Sequence, residues 1–255
     1  MRPALRVVAS LAAAVSAAVL ILRFLVYPAP NLPAIAHAGG GLDGKTYTNS
    51  IAALDANYAR GFRIFEIDFL RTWDDVFVCG HDWGRLGGAR LLAENFELVR
   101  SRMDPKPCTL DELVAWLEAH PDASLVSDAK DDVEELNRTL AERLGGRLIG
   151  QAYDFEQLCR FREIGLGRAI LTLYRMPVSA DALAQGLRGD CVAPGYPEAV
   201  TMDTRRVRSG HAAVVKAVSG LPVYTHTVNS CGAARALFLF GADQIYTDFL
   251  GPSGC

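Results

Sequence analysis

Two hydrophobic periods take turns along most of the chain. Short runs alternate apolar and polar residues, as in "FRIFEIDFL" (62–70), where successive side chains of a strand face opposite ways. Longer runs place apolar residues three and four apart, as in "TLDELVAWLEAH" (109–120), the spacing of a helix with one buried face. Further strands are predicted at "LPAIAHA" (32–38), "ASLVSDAK" (123–130), "RLIGQAY" (147–153), "RAILTLY" (168–174), "AVTMDT" (199–204), "LPVYTHTV" (221–228) and "ADQIYTD" (242–248), with a short extra one at "VFVCGHD" (76–82). Helices are expected from Asn49 to Arg60, from Thr109, from Asp132 to Leu144, and from near Phe155, Ser179, Ser209 and Ser230. Thr109 and Glu112 suit a capping box, and Gly145-Gly146 a helix end. The stretch Leu86–Lys106, with a glycine pair and Pro105 and with Pro107 just beyond it, reads as a long irregular loop.

Eight main strands alternating with helices over this length predict an α/β fold, a (β/α)8 barrel. A doubly wound open sheet is the rival, but no glycine fingerprint supports it. In a barrel each strand has an outer face under helices and an inner face. Phe65, Ile67 and Phe69 then pack outward, and Glu66 and Asp68 point inward near the strand end.

The first thirty residues break the pattern. Val7 to Leu22 carry no charge, and Arg23 is followed by Phe24 to Tyr27. A spanning helix needs about 20 apolar residues. The bulky residues before Pro28 favour an uncleaved anchor over a cleaved signal peptide. Residues 1–30 are therefore read as a transmembrane anchor and linker preceding the barrel, and 31–255 as the barrel domain. Arg2 and Arg6 ahead of the apolar run favour a cytoplasmic N-terminus, which places the domain on the periplasmic or extracellular side. The six cysteines then have an oxidising compartment available. Cys79 and Cys108 flank the segment after "VFVCGHD", and a bridge between them would staple the strand end carrying His81. A net charge of -3 argues against nucleic acid as a partner.

Strand ends hold the active site in this fold. Those ends carry His37, Glu66, Asp68, His81-Asp82, Asp128, Lys130, His226, Asn229 and Asp248. Glu66, Asp68 and Asp128 are hard oxygen donors suited to one divalent cation, Mg²⁺ or Ca²⁺. Two histidines beside such a site suit proton transfer on a phosphate ester, and Lys130 suits contact with its oxygens. His120 and His211 lie at helix ends and read as structural; Asp82 reads as an orienting group, and Asp248 as a loop brace.

In order along the chain, "HAGG", "YTNS", "FEIDF", "GHD", "CTLDELVAWL", "VSDAK" and "THTVNS" with "GADQIYTD" resemble the motifs of the glycerophosphodiester phosphodiesterase family, from about Ile35 to Asp248. The resemblance implies a metal-dependent hydrolysis of a phosphodiester to a phosphomonoester and an alcohol. It implies His37 and His81 as the acid–base pair, Glu66, Asp68 and Asp128 as metal ligands, and Lys130 as a phosphate contact. Asn49 and His226 join Lys130 as expected substrate-binding residues. The chain departs from the family in three places. Ala38 replaces an arginine, Asp128 a glutamate, and His226 an aromatic residue before Thr227. Lys45, Lys130 and Arg168 are candidates to replace the missing cation. Asp-x-Lys and the first histidine without arginine are also similar to sphingomyelinase D-type phospholipases, which form a cyclic phosphate. A membrane-tethered binding protein without catalysis is the remaining alternative.

Overall fold

The computed structural model describes residues 32–174, 176 and 179–254. The expected anchor falls at 1–30 and lies outside the described residues; among those described, no helix is long and apolar enough to cross a membrane.

Eight parallel strands close into a barrel, confirming the (β/α)8 expectation. They are β1 (Ala34–Ala36), β2 (Ile64–Arg71), β4 (Ser124–Ala129), β5 (Leu148–Ala152), β6 (Ala169–Thr172), β7 (Ala199–Asp203), β8 (Val223–His226) and β9 (Gln244–Thr247). β1 pairs with both β9 and β2, which closes the ring. The extra strand β3 (Phe77–Cys79) runs antiparallel to the end of β2, outside the ring.

The alternation read in "FRIFEIDFL" sets the two faces of β2. Phe65, Ile67 and Phe69 are buried in the main core with Leu113, Trp116 and Leu117 from the helix Leu110–Ala119. Glu66 and Asp68 face the other way, into the barrel, and both are buried. Ile35, Val126, Ile149, Ile170, Ala199 and Tyr246 form a separate apolar cluster from six barrel strands, so the interior is packed and not a pore. The helix Leu110–Ala119 starts with the expected capping box of Thr109 and Glu112.

The stretch 86–106 is not wholly irregular. It contains the helix Ala93–Arg100, whose Phe96 is buried with Leu70, Val78 and Leu86. Helical spacing there was obscured by flanking prolines and glycines. Cys79 and Cys108 form the expected disulfide, with Cα atoms 5.2 Å apart. A second bridge, Cys159–Cys191, had no pattern to announce it.

The Cys79–Cys108 bridge closes a loop across 29 positions. Loop-closure entropy for that length predicts that the Cys79→Ala/Cys108→Ala variant loses roughly 3–4 kcal/mol. Reversible denaturant unfolding checks this, and a loss below about 1 kcal/mol contradicts it.

Candidate active site

The site is built where β1, β2, β4 and β9 end. In the register of β2 and β4, Asp68 lies opposite Asp128 and Glu66 opposite Val126. Paired residues of parallel strands share a face, so Asp68, Asp128 and Glu66, two residues earlier, converge inside the barrel. Their carboxylate oxygens lie within 4.8 Å of one another. All three are buried.

Each acid is held differently. Glu66 Oε2 accepts the backbone N–H of Ala38 at 2.7 Å, while the buried Oε1 has no hydrogen-bond partner. Asp68 is clasped by Asn49: its Oδ2 accepts Asn49 Nδ2 at 3.0 Å, and its backbone N–H donates to Asn49 Oδ1 at 2.9 Å. The Lys130 ammonium lies 2.9 Å from Asp68 Oδ1 and 2.8 Å from Asp128 Oδ1. Tyr153 donates its hydroxyl to the same Asp128 oxygen. Burial, and then the charge of Asp68, hold Glu66 protonated well above the usual carboxylate range; the His37 charge opposes this. Burial would lower the Lys130 pKa, but the charges of Asp128 and Asp68 outweigh it and raise it.

Three crowded oxygen donors, one of them orphaned and reluctant to ionise, fit a divalent cation. The donor set contains no sulfur or nitrogen, which suits Mg²⁺ or Ca²⁺ better than zinc.

His37 follows β1 and opens a tight turn. Ala38 adopts φ 50°, and Gly39 and Gly40 are also left-handed. A Cβ at Gly40 would strike the Asn57 amide, so glycine is required there. The turn aims the Ala38 N–H at Glu66. His37 Nδ1 lies 2.8 Å from Asp248 Oδ1. A carboxylate only accepts, so Nδ1 carries the proton and Nε2 is left for other partners. Asp248 is held in turn by Asn229, through Nδ2 to Oδ2 at 2.7 Å and its own N–H to Oδ1 at 2.8 Å. Burial alone would lower the His37 pKa. The Asp248 hydrogen bond and the charges of Glu66, Asp248 and Asp68 win, and raise it to about 9. Asp248 was expected only to brace a loop; it braces the histidine itself. Asn229 was visible as a strand-end residue but had no assigned role.

His81 repeats the arrangement locally. Its Nδ1 donates to Asp82 Oδ2 at 2.9 Å, the orienting role expected of Asp82. Arg85 Nε also donates to that oxygen at 3.2 Å. Tyr47 stands between the two histidines, its ring 4.7 Å from that of His37 and 4.6 Å from that of His81. The motif "YTNS" carries Tyr47, but nothing in its spacing distinguished the tyrosine.

His226 lines a small chamber at the barrel mouth with His37, Glu66, Asp128, Gln151, Thr172 and Tyr174. Asn49 is fully buried, and both atoms of its amide are engaged by Asp68. Its amide is thereby committed to Asp68. The helix expected at Asn49 starts at Ile51, with Ser50 as its cap. Of the candidate replacement cations, Arg168 lies at the opposite end of the barrel, bonded to Glu198 and Ser124. It directly precedes β6 and cannot serve this mouth. Lys45 donates to the Asp104 carbonyl at 2.6 Å. His120 stacks on Trp116 at 4.1 Å, and His211 contacts Ser209, the structural roles expected.

The fold is that of (β/α)8-barrel phosphodiesterases of known structure. A glycerophosphodiester phosphodiesterase from Thermotoga maritima superposes with a TM-score of 0.68 at 16% identity, covering 86% of this chain and 96% of that one. One from Parabacteroides distasonis gives 0.67 at 20% identity, covering 86% and 93%. An Oleispira antarctica phosphodiesterase, solved with the product sn-glycerol-3-phosphate, gives 0.62 at 18% identity, covering 88% and 94%. No family model matches the chain, and no curated protein matches it by sequence. At these identities the likeness establishes the fold.

Burial lowers the His226 pKa from 6.5 to about 4. An unfolded chain therefore takes up a proton there that the folded chain refuses. The stability His226 contributes is complete above 6.5 and is lost as pH falls through that window toward 4, with a slope of at most about 1.4 kcal/mol per pH unit. His226→Phe should flatten stability across this window in urea titrations. An unchanged slope would show that His226 is not held neutral.

Proposed function

We propose that the protein is a metal-dependent phosphoric diester hydrolase acting on a glycerophosphodiester or a related phosphodiester. The observation that carries this reading is the convergence of three carboxylates and two carboxylate-backed histidines at one end of the barrel. Structural neighbours that are glycerophosphodiester phosphodiesterases support it, as does one holding sn-glycerol-3-phosphate.

Glu66, Asp68 and Asp128 would hold one divalent cation, Mg²⁺ or Ca²⁺, which when bound offsets charge on the phosphoryl oxygens. Lys130, already between Asp68 and Asp128, would contribute positive charge beside it. The remaining chemistry is proton traffic. With Nδ1 of each histidine committed to a carboxylate, each presents Nε2. His37, whose second proton is favoured by Asp248, suits the acid that protonates the departing alkoxide. His81 suits the base that takes the proton of the attacking hydroxyl, either water or a neighbouring hydroxyl of the substrate. In the second case the first product is a cyclic phosphate. His226, neutral and in the same chamber, and Lys130 are assigned to substrate contact. Asn49 acts through Asp68. Ala38 supplies a backbone N–H in place of an arginine side chain, and being fully buried it leaves the phosphate with one cation fewer.

Lys130 also favours one rival reading. An ammonium seated between two of the three acids could stand in for the metal in a non-catalytic binding protein. Calorimetry and turnover separate the two. Glu66→Gln should abolish Mg²⁺ or Ca²⁺ binding and hydrolysis together. His37→Ala and His81→Ala should keep metal binding and lower turnover by about 10²–10⁴-fold. A p-nitrophenyl leaving group needs no protonation, so it should partly rescue His37→Ala and not His81→Ala. Full activity in strong chelator, or histidine variants at wild-type turnover on every phosphodiester tried, would remove the hydrolase reading.

The sequence also motivates a tethered form, with residues 1–30 as a membrane anchor and the barrel outside the cytoplasm. A chain lacking residues 1–30 should leave the membrane fraction and unfold cooperatively. A full-length chain found only in the soluble fraction would refute the tether.

A further inference from the structure

Tyr47 is in a conformation that a large side chain rarely adopts, at φ 55°, and bulky residues there are outliers that need a compensating reason. Its surroundings supply one. The ring meets the His37 ring at 80° and the His81 ring at 69°, with centroids 4.7 and 4.6 Å away. The Arg85 guanidinium covers the same ring at 4.6 Å. Arg85 is tied to Asp82, and Asp82 to His81. Tyr47, Arg85, Asp82 and His81 therefore form a closed circuit of contacts, and His37 touches it through Tyr47. The Tyr47 hydroxyl makes no hydrogen bond among the described residues, so the ring carries these contacts.

The backbone around it explains why the ring stays there. Asn49, two residues on, is also left-handed, at φ 46°, and is locked to Asp68. The backbone N–H of Asn49 donates to the Ala38 carbonyl at 3.1 Å. The "YTNS" segment is thus fastened to the acids on one side and to the His37 turn on the other. On its outer side lies a cavity of about 350 Å³, lined by Lys45, Tyr47, Thr48, Arg85, Met103 and Pro105 among others. Tyr47 borders that cavity while touching both histidines.

We propose that Tyr47 is a positioning residue: its ring, clamped by Arg85, is the spacer that fixes the separation and tilt of His37 and His81. Without it the two imidazoles would lose their common wall, and His81, which is about one-third exposed, would be free to turn toward the outer cavity. The inference rests on the hydrolase reading for its catalytic consequence, but not for its geometric one.

The test compares Tyr47→Phe, Tyr47→Ala and Tyr47→Gly in the full chain with metal present. Glycine accepts a positive φ without strain, so Tyr47→Gly folds at least as well as Tyr47→Ala and separates packing loss from spacer loss. Turnover of bis(p-nitrophenyl) phosphate should fall about 10²-fold in both, as for a misplacement of order 1 Å. The loss should appear in kcat and kcat/KM alike, with metal affinity unchanged. Tyr47→Phe should recover most of the turnover. Crystal structures of the variants read the geometry directly. Both histidines should shift in Tyr47→Gly and stay in place in Tyr47→Phe. A Tyr47→Gly chain with wild-type turnover, a Tyr47→Phe chain as impaired as Tyr47→Gly, or imidazoles unmoved in the Tyr47→Gly structure would overturn the spacer role. If the wild-type chain hydrolyses no phosphodiester, the hydrolase reading fails alone, and the variant structures still decide the role of Tyr47.

Discussion

Three carboxylates share one buried point, and the rest of the barrel mouth is arranged around that fact. Like charges at such separations repel by roughly 3–4 kcal/mol per pair at an effective dielectric of 20. Burial adds a desolvation penalty to each. The strand register leaves no escape, because Asp68 and Asp128 face each other across a parallel ladder. Something positive or protic must answer each oxygen. Lys130, Tyr153, the Asn49 amide and the Ala38 N–H do so for most of them, and Glu66 Oε1 is left over.

The neighbouring features follow from that requirement. The left-handed turn at Ala38 exists to aim a backbone N–H at Glu66, which is why small residues crowd after His37. Asn49 is spent on Asp68 rather than on capping a helix; Ser50 takes the cap instead. The histidines stand at the edge of the same field, and each is held by its own carboxylate, Asp248 or Asp82. The result is a mouth in which His37, His81, Asp68 and Asp128 each have a charged or hydrogen-bonding partner. Such a network keeps proton positions defined where an unpaired buried polar group would be costly.

Much of this was legible in the residues. The period-two pattern of Phe65, Ile67 and Phe69 against Glu66 and Asp68 gave the inward acids, because a barrel strand has only two faces. The alternation of strands and helices gave the barrel. The strand-end rule gave His37, His81 and Asp128. What stayed hidden depends on contacts between distant segments. The Asp248–His37 pair joins residues 211 positions apart, and no local pattern encodes it. Tyr47 drew no notice because its importance lies in a ring packed between two others. Arg168 was misplaced although it opens the predicted strand 168–174, which already set it at the end of the barrel away from the site. The helix at 93–100 was missed because prolines and glycines around it read as loop.

The pairing of His37 with Asp248 ties the beginning of the barrel to its final strand. β1 and β9 are the seam at which the ring closes, and the imidazole takes its orienting partner from the far side of that seam. A ribosome delivers β1 first and β9 last. Through most of synthesis the three acids and both histidines already exist as sequence, yet His37 lacks its Asp248 partner. The His37–Asp248 contact therefore forms only when the ring shuts. A nascent or partly unravelled chain lacks this contact, so the imidazole is oriented only once the barrel has closed.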